Sequence, residues 1–331
     1  MTRVFLTHTP EMLANYYPQE ALDALRQHAE VRINDTGAVL DADTLPDAAA
    51  GCGIVITDRQ TACPAPVFAQ AEGIGAVLRC AVDVRNIDIT AASAAGILVT
   101  HATPGFAPAV AELALGYMVD LGRGVTRSAL AYRGGAAPEA RMGVQLAGAT
   151  LGVIGYGEIG QRLARVAAAL GMRILVTDPH SRIDESGIEQ TDFGSLMARS
   201  DFVVCLAVAN AETENLIDAD ALARMRSDAF FINLSRGELV DEDALADALD
   251  RGGIAGAAMD VGRAPDQMPN PALARRDDVI ATPHTGGLTP PAIAHQAFDT
   301  VRQVEALLAG RMPEGALNPD SATRLAPLRA G

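Results

Sequence analysis

Short apolar runs alternate with stretches of helical periodicity along almost the whole chain. Runs at residues 4–7, 54–57, 76–80 and 97–100 predict strands, and segments 20–28 and 89–95 between them have helical spacing. A denser series begins near residue 149. Its strands are expected at 150–154, 173–177, 202–207, 229–234, 257–261 and 279–282, and its helices at 159–170, 194–199, 219–225 and 242–250. In the first of these helices Ile159, Leu163, Val166 and Leu170 share one face, which is the stripe a helix buries against a sheet.

Strands that alternate with helices argue parallel sheets with helices on their faces. Six strands in the second series is the strand count of a doubly wound dinucleotide fold. A long helical pattern at 110–132 lies between the two series. The last periodic segment, 293–308, follows Pro290-Pro291, a natural helix start. If it packs back on the first series, that domain is discontinuous. The expected architecture is therefore α/β, with two Rossmann-like or flavodoxin-like domains, one of residues 1–101 and 290–331 and one of residues 102–289. The crossings near 101 and 290 would hinge over a cleft. The tail after Asn318 is expected to be loosely held.

A length of 331 residues suits two domains and needs no disulfide to fold. The net charge is −15, and all 26 basic residues are Arg. A lysine Schiff base, a lysine general base and a phosphate-loop lysine are thereby excluded. Such an acidic chain repels phosphate backbones and anionic lipid, so neither nucleic acid nor membrane is an expected partner. An anionic substrate would need local Arg groups. Cys52, Cys63, Cys80 and Cys205 show no CxxC or metal-ligand spacing, which fits buried thiols in a cytoplasmic protein. No HExxH occurs, no metal is expected, and no apolar run approaches a membrane span. The start of the chain is too short in apolar residues for a signal peptide.

The chemistry concentrates in a few segments. Gly155-Tyr156-Gly157-Glu158-Ile159-Gly160 follows a predicted strand and opens a predicted helix. The first glycine allows a tight turn, the second lets backbone N–H groups approach a pyrophosphate, and the third lets helix and strand pack closely. Asp178 ends the next strand, where a ribose-binding carboxylate is expected. A methyltransferase also uses a glycine turn and a ribose acid. Three later strand ends carry Asn233-Leu234-Ser235-Arg236-Gly237, Met259-Asp260-Val261 and Thr282-Pro283-His284-Thr285-Gly286-Gly287. Ligands of open α/β sheets bind outside the carboxyl ends of the strands. Alone, Arg236 reads as a surface ion-pair residue and His284 as a packed turn residue; together they read as a site.

From about Gly73 to Asn318 these segments resemble the D-isomer-specific 2-hydroxyacid dehydrogenases. The likeness includes Asn86-Ile87-Asp88, Thr103-Pro104-Gly105 and Val110-Ala111-Glu112. The resemblance implies NAD as cofactor, a small 2-oxo or 2-hydroxy acid as substrate, and a homodimer whose interface would use 110–132 and the arm after it. It makes the discontinuous domain the substrate domain and 102–289 the NAD-binding domain. Arg236 would bind the substrate carboxylate and carbonyl with its planar fork. His284 would donate the proton to the carbonyl oxygen. Asp260 would hold the nicotinamide amide, and backbone N–H groups near Val82 and Asp83 would receive the substrate carboxylate. Leu234, Ser235, Gly286 and Gly287, with Glu158 and Ile159 of the glycine turn, would add cofactor contacts. The chain stops near where the family core stops, so no regulatory C-terminal extension is expected.

Three departures stand out. The family's Glu, five residues after the Asp of the Asp-Val pair, is Pro265 here, and Asp266 is the nearby substitute expected to partner His284. The substrate loop reads Ala81-Val82-Asp83-Val84-Arg85, with Asp83 in place of a Gly and Arg85 in place of an Asp; drift and altered specificity are both open. The family's H-x-P is Leu206-Ala207-Val208. The missing Glu leaves a second reading, a dinucleotide-binding regulator that has lost efficient turnover.

Overall fold

Five strands, β1 (Arg3–Leu6), β2 (Glu30–Ile33), β3 (Ile54–Thr57), β4 (Ala76–Arg79) and β5 (Leu98–His101), form one parallel sheet in the order β2-β1-β3-β4-β5. This is a flavodoxin-like order. The computed structural model describes residues 2–329. It divides into two compact units, one running up to Gly105 and resuming at Thr289, the other spanning Phe106–Leu288. In the first unit, Ala297, Val301, Val304 and Leu307 of helix Pro290–Leu308 share a core with Val4, Leu6 and Leu78. The last periodic segment thus returns to the first series.

The tail is held more firmly than its position suggests. Leu325 and Leu328 are buried in that same core, and the N–H groups of Thr323 and Arg324 both donate to the Gly96 carbonyl at 3.0 and 3.1 Å. Two apolar anchors and two main-chain bonds correct the expectation of a loose end, as far as Arg329.

The second unit holds a seven-stranded parallel sheet of β6 (Thr150–Ile154), β7 (Arg173–Thr177), β8 (Ile188–Gln190), β9 (Phe202–Cys205), β10 (Phe230–Asn233), β11 (Gly256–Met259) and β12 (Val279–Ala281). Its order is β12-β11-β10-β9-β6-β7-β8, all parallel. The strand order reverses between β6 and β9, which is where doubly wound sheets bind ligands. The sheet has one strand more than the six expected, because β8 is a short edge strand. The helical pattern at 110–132 is two helices, Ala107–Arg123 and Val125–Arg133, broken at Gly124, whose φ of +61° no continuous helix accepts.

Candidate active site

Gly155 follows β6 with φ +94° and donates its N–H to the Thr177 carbonyl at 2.9 Å. A Cβ on Gly155 would lie 2.8 Å from the Ala207 main chain, and one on Gly160 would strike the Gly155 carbonyl oxygen. A Cβ on Gly157 would meet nothing within 4 Å. Two glycines are thus demanded by packing inside the turn, while Gly157 faces open space at the N-terminus of helix Glu158–Ala169. Backbone N–H groups and a helix dipole aimed at open space suit a pyrophosphate. The site therefore fits a dinucleotide.

Asp178 follows β7. Its carboxylate accepts the Tyr156 N–H at 2.7 Å and the His180 N–H at 2.8 Å. Burial pushes its pKa up, but the donors from Tyr156, His180 and Ser181 together outweigh burial and hold it below the usual carboxylate value. Beyond it opens a pocket of about 400 Å³ lined by Tyr156, Gln161, Ser181, Arg182, Asp184 and Glu185, among others. Glu185 accepts from the Tyr156 hydroxyl (2.8 Å) and from Arg165 (3.0 Å).

The Arg236 turn is fastened by Asn233, the last residue of β10. The fully buried Asn233 side chain donates to the Arg236 carbonyl at 2.9 Å and accepts the Ser235 N–H at 3.1 Å. The Ser235 hydroxyl donates to the Ala207 carbonyl, tying the turn to the segment that replaces the family's H-x-P. Leu234 is buried behind it. Arg236 is half-buried, and its Nη1 donates to the Ser235 carbonyl at 2.8 Å.

Asp260 is the organiser of the His284 loop. One carboxylate oxygen accepts from the Thr282 hydroxyl (2.5 Å) and the Thr285 N–H (2.7 Å); the other accepts the Gly286 N–H at 2.7 Å. The Asp260 carbonyl also takes the His284 N–H at 2.9 Å. The Tyr117 hydroxyl meets the Thr282 hydroxyl. Because Thr282 spends its proton on Asp260, Tyr117 is the donor to Thr282. Burial pushes the Tyr117 phenol well above its ordinary pKa, so it keeps the proton it donates.

His284 holds φ +52°, and its Nδ1 lies 3.2 Å from the main-chain carbonyl oxygen of Asp266. The main-chain carbonyl of Asp266 thus stands at the His284 ring. Gly287 packs against Phe106, where a Cβ would come within 3.4 Å of that ring's Cβ.

The other residues that the sequence singles out lie in the first unit. Val82, Asp83 and Arg85 follow β4, and Arg85 pairs with Asp83 through Nη2 at 2.7 Å. The N–H groups of Val82 and Val84 have no hydrogen-bond partner among the described residues. Arg79, buried at the end of β4, donates to the main-chain carbonyls of Asp83 (3.0 Å), Arg59 (2.7 Å) and Asp58. It therefore shapes this loop from beneath.

Sequence reasoning did not find the supporting roles of Asn233, Tyr117, Thr282 and Arg79. A buried Asn ending an apolar strand was a usable signal for Asn233. Tyr117 lies 165 residues from Thr282, and nothing local marks it. Among the described residues no cluster suits a metal ion, and no helix is long and apolar enough to cross a membrane.

A doubly wound sheet, a glycine turn beside its switch point, and Arg, Asp and His at three successive strand ends define a Rossmann-type dinucleotide-binding protein. Residues 115–286 match the model of the D-isomer specific 2-hydroxyacid dehydrogenase NAD binding domain, and the chain belongs to this family, with NAD as its cofactor class. It is 33% identical over 305 residues to a D-3-phosphoglycerate dehydrogenase of Methanocaldococcus jannaschii, covering 91% of this chain. The chain spans only 57% of that relative's length. It is 29% identical to a hydroxypyruvate reductase of Thermotoga maritima, over 86% of this chain and 94% of the relative. A solved Thermus thermophilus structure superposes with a TM-score of 0.85 at 30% identity, covering 96% of this chain and all of that one.

Proposed function

We propose that this protein interconverts a 2-oxo acid and a D-2-hydroxy acid by hydride transfer with NAD. Residues 1–101 and 290–331 serve as the substrate domain and 102–289 as the NAD-binding domain. The observation that carries this reading is the placement of Arg236, Asp260 and His284 at the ends of β10, β11 and β12, in the unit that holds the glycine turn.

NAD(H) bound at the turn supplies or accepts the hydride. Gly155, Gly157, Glu158, Ile159 and Gly160 form the pyrophosphate cradle, and Asp178 accepts the adenosine ribose hydroxyls. Leu234, Ser235, Gly286 and Gly287 line the nicotinamide side, where Asp260 holds the carboxamide. Each oxygen of a carboxylate has two acceptor sites, so the Asp260 oxygen bonded to Gly286 keeps one for that amide. Arg236 binds the substrate carboxylate and carbonyl. Val82, Asp83 and Arg85 belong to the loop whose N–H groups receive the carboxylate. His284 gives its proton to the carbonyl oxygen in reduction and takes it back in oxidation. The presence of both Arg236 and His284 favours an enzyme over a regulator. Loss of NADH absorbance on addition of a panel of 2-oxo acids tests the reading. NADH binding without oxidation by any of them would leave only the regulator.

A second copy of the chain is proposed as its partner. Val125, Leu130, Tyr132 and Met142 leave their apolar side chains exposed along helix Val125–Arg133 and the arm after it, where the homodimer interface is expected. A monomer by light scattering at micromolar concentration would refute this. The four free, buried thiols support a reducing, cytoplasmic setting; a secreted mature form would count against it.

A further inference from the structure

Four residues other than glycine hold positive φ among the described residues: Asn215 (+52°), Asp266 (+60°), Gln267 (+60°) and His284 (+52°). Asn215 and Gln267 meet the turn that bears Arg236, and Asp266 meets His284. Asn215 donates its N–H to the Glu238 carbonyl at 2.9 Å, and Asp266 offers its carbonyl to His284. Side chains other than glycine enter this region only where their surroundings hold them there, and such residues gather where geometry is used.

Gln267 is the hub of the group. Its Oε1 accepts the Gly237 N–H at 3.2 Å, and its Nε2 donates to a Glu238 carboxylate oxygen at 3.1 Å. Its main-chain carbonyl accepts the Gly262 N–H at 3.0 Å. Ala264 and Met268 close the turn as an antiparallel bridge, with the Ala264 N–H 3.1 Å from the Met268 carbonyl. One side chain therefore ties the turn of Pro265–Gln267 to the turn that bears Arg236.

From this geometry we propose that Gln267 is a positioning residue, holding the Asp266 main-chain carbonyl as the seat of the His284 ring and fixing that seat relative to Arg236. The seat is geometric; its catalytic consequence rests on the oxidoreductase reading above. A carbonyl only accepts, so the His284 Nδ1 carries hydrogen. Nε2 is then the atom that takes and delivers the proton. The main-chain carbonyl fixes the tautomer and the plane of the ring, without the charge that a carboxylate at the position of Pro265 would add. Shortening the side chain of residue 267 removes the support of this seat.

The test uses the whole protein with isotope-labelled histidine, and the His284 signal is assigned by its absence in His284→Asn. The neutral His284 ring is expected as the Nδ1–H tautomer in the wild type, and as a mixture in Gln267→Ala and Gln267→Asn. In turnover, both Gln267 variants should lose at least about tenfold in kcat for 2-oxo acid reduction, since small misplacements of reacting groups cost this much or more. Their KM for the oxo acid should rise while their Kd for NADH, which reports a folded second unit, stays at the wild-type value. The proposal is overturned if the Gln267 variants keep the Nδ1–H tautomer and full kcat. A wild type inert to every 2-oxo acid would refute the enzymatic reading instead, and the tautomer would still decide the seat.

Discussion

Tyr156, inside the glycine turn, donates its N–H to the Asp178 carboxylate at 2.7 Å, so the acid proposed to bind the ribose is bonded to the loop proposed to cradle the pyrophosphate. Asp178→Asn keeps the shape and loses the charge. It should weaken NADH by about tenfold, the scale of a lost hydrogen bond to a charged group, and should bring NADPH closer to NADH. In the neighbouring pocket Arg182 faces Asp184 and Glu185, and Glu185 is already paired with Arg165, so the charge of Asp178 carries the discrimination against a 2′-phosphate. Titrating both cofactors checks this, and a wild-type preference for NADPH would contradict it.

Arg236→Lys retains a positive charge but not the planar fork, so it is not conservative at a carboxylate site. Because Asn233 fastens the backbone of this turn through the Ser235 N–H and the Arg236 carbonyl, the variant should fold normally. The expected loss in kcat/KM is about a hundredfold or more, with NADH affinity nearly unchanged. Normal turnover in Arg236→Lys would remove the residue from its assigned role.

Acid should destabilise the first unit through His8. This side chain follows β1, is 1% exposed and packs edge-on against Tyr17 with ring centroids 5.3 Å apart. Burial pushes its pKa down to about 4 from an ordinary 6.5, assisted by Arg79 and opposed by Asp58. The unfolded chain binds the His8 proton near 6.5, and the native state binds it only near 4. Stability is therefore lost as pH falls through that window. Between pH values of about 7.5 and 5 the loss is about 2 kcal/mol. Urea unfolding of wild type and His8→Gln at both pH values measures it; equal pH dependence in the two proteins would contradict it.

The fold was legible where strands are buried on both faces. Ile54–Thr57 and Phe202–Cys205 are entirely buried, and such strands read as unbroken apolar runs. Glu30–Ile33 and Ile188–Gln190 are edge strands with exposed and half-buried side chains, so no apolar run announces them. Gly124 hid inside a helical pattern because periodicity does not report φ. The residues proposed for the chemistry, Arg236, Asp260 and His284, stood out through motif and strand end. Their supports did not: Tyr117 and Gln267 act through partners 165 and 30 residues away. The backbone seat of His284 was invisible because main-chain carbonyls carry no residue signature.

The central claim is proton donation by His284 during reduction of a 2-oxo acid. The most direct test compares NADH oxidation by wild type and His284→Ala across a panel of 2-oxo acids, with NADH affinity measured in parallel. Wild type should oxidise NADH with at least one of the acids. His284→Ala should lose about 10²–10⁴-fold in kcat while binding NADH as tightly as wild type. Undiminished turnover in His284→Ala would contradict the account.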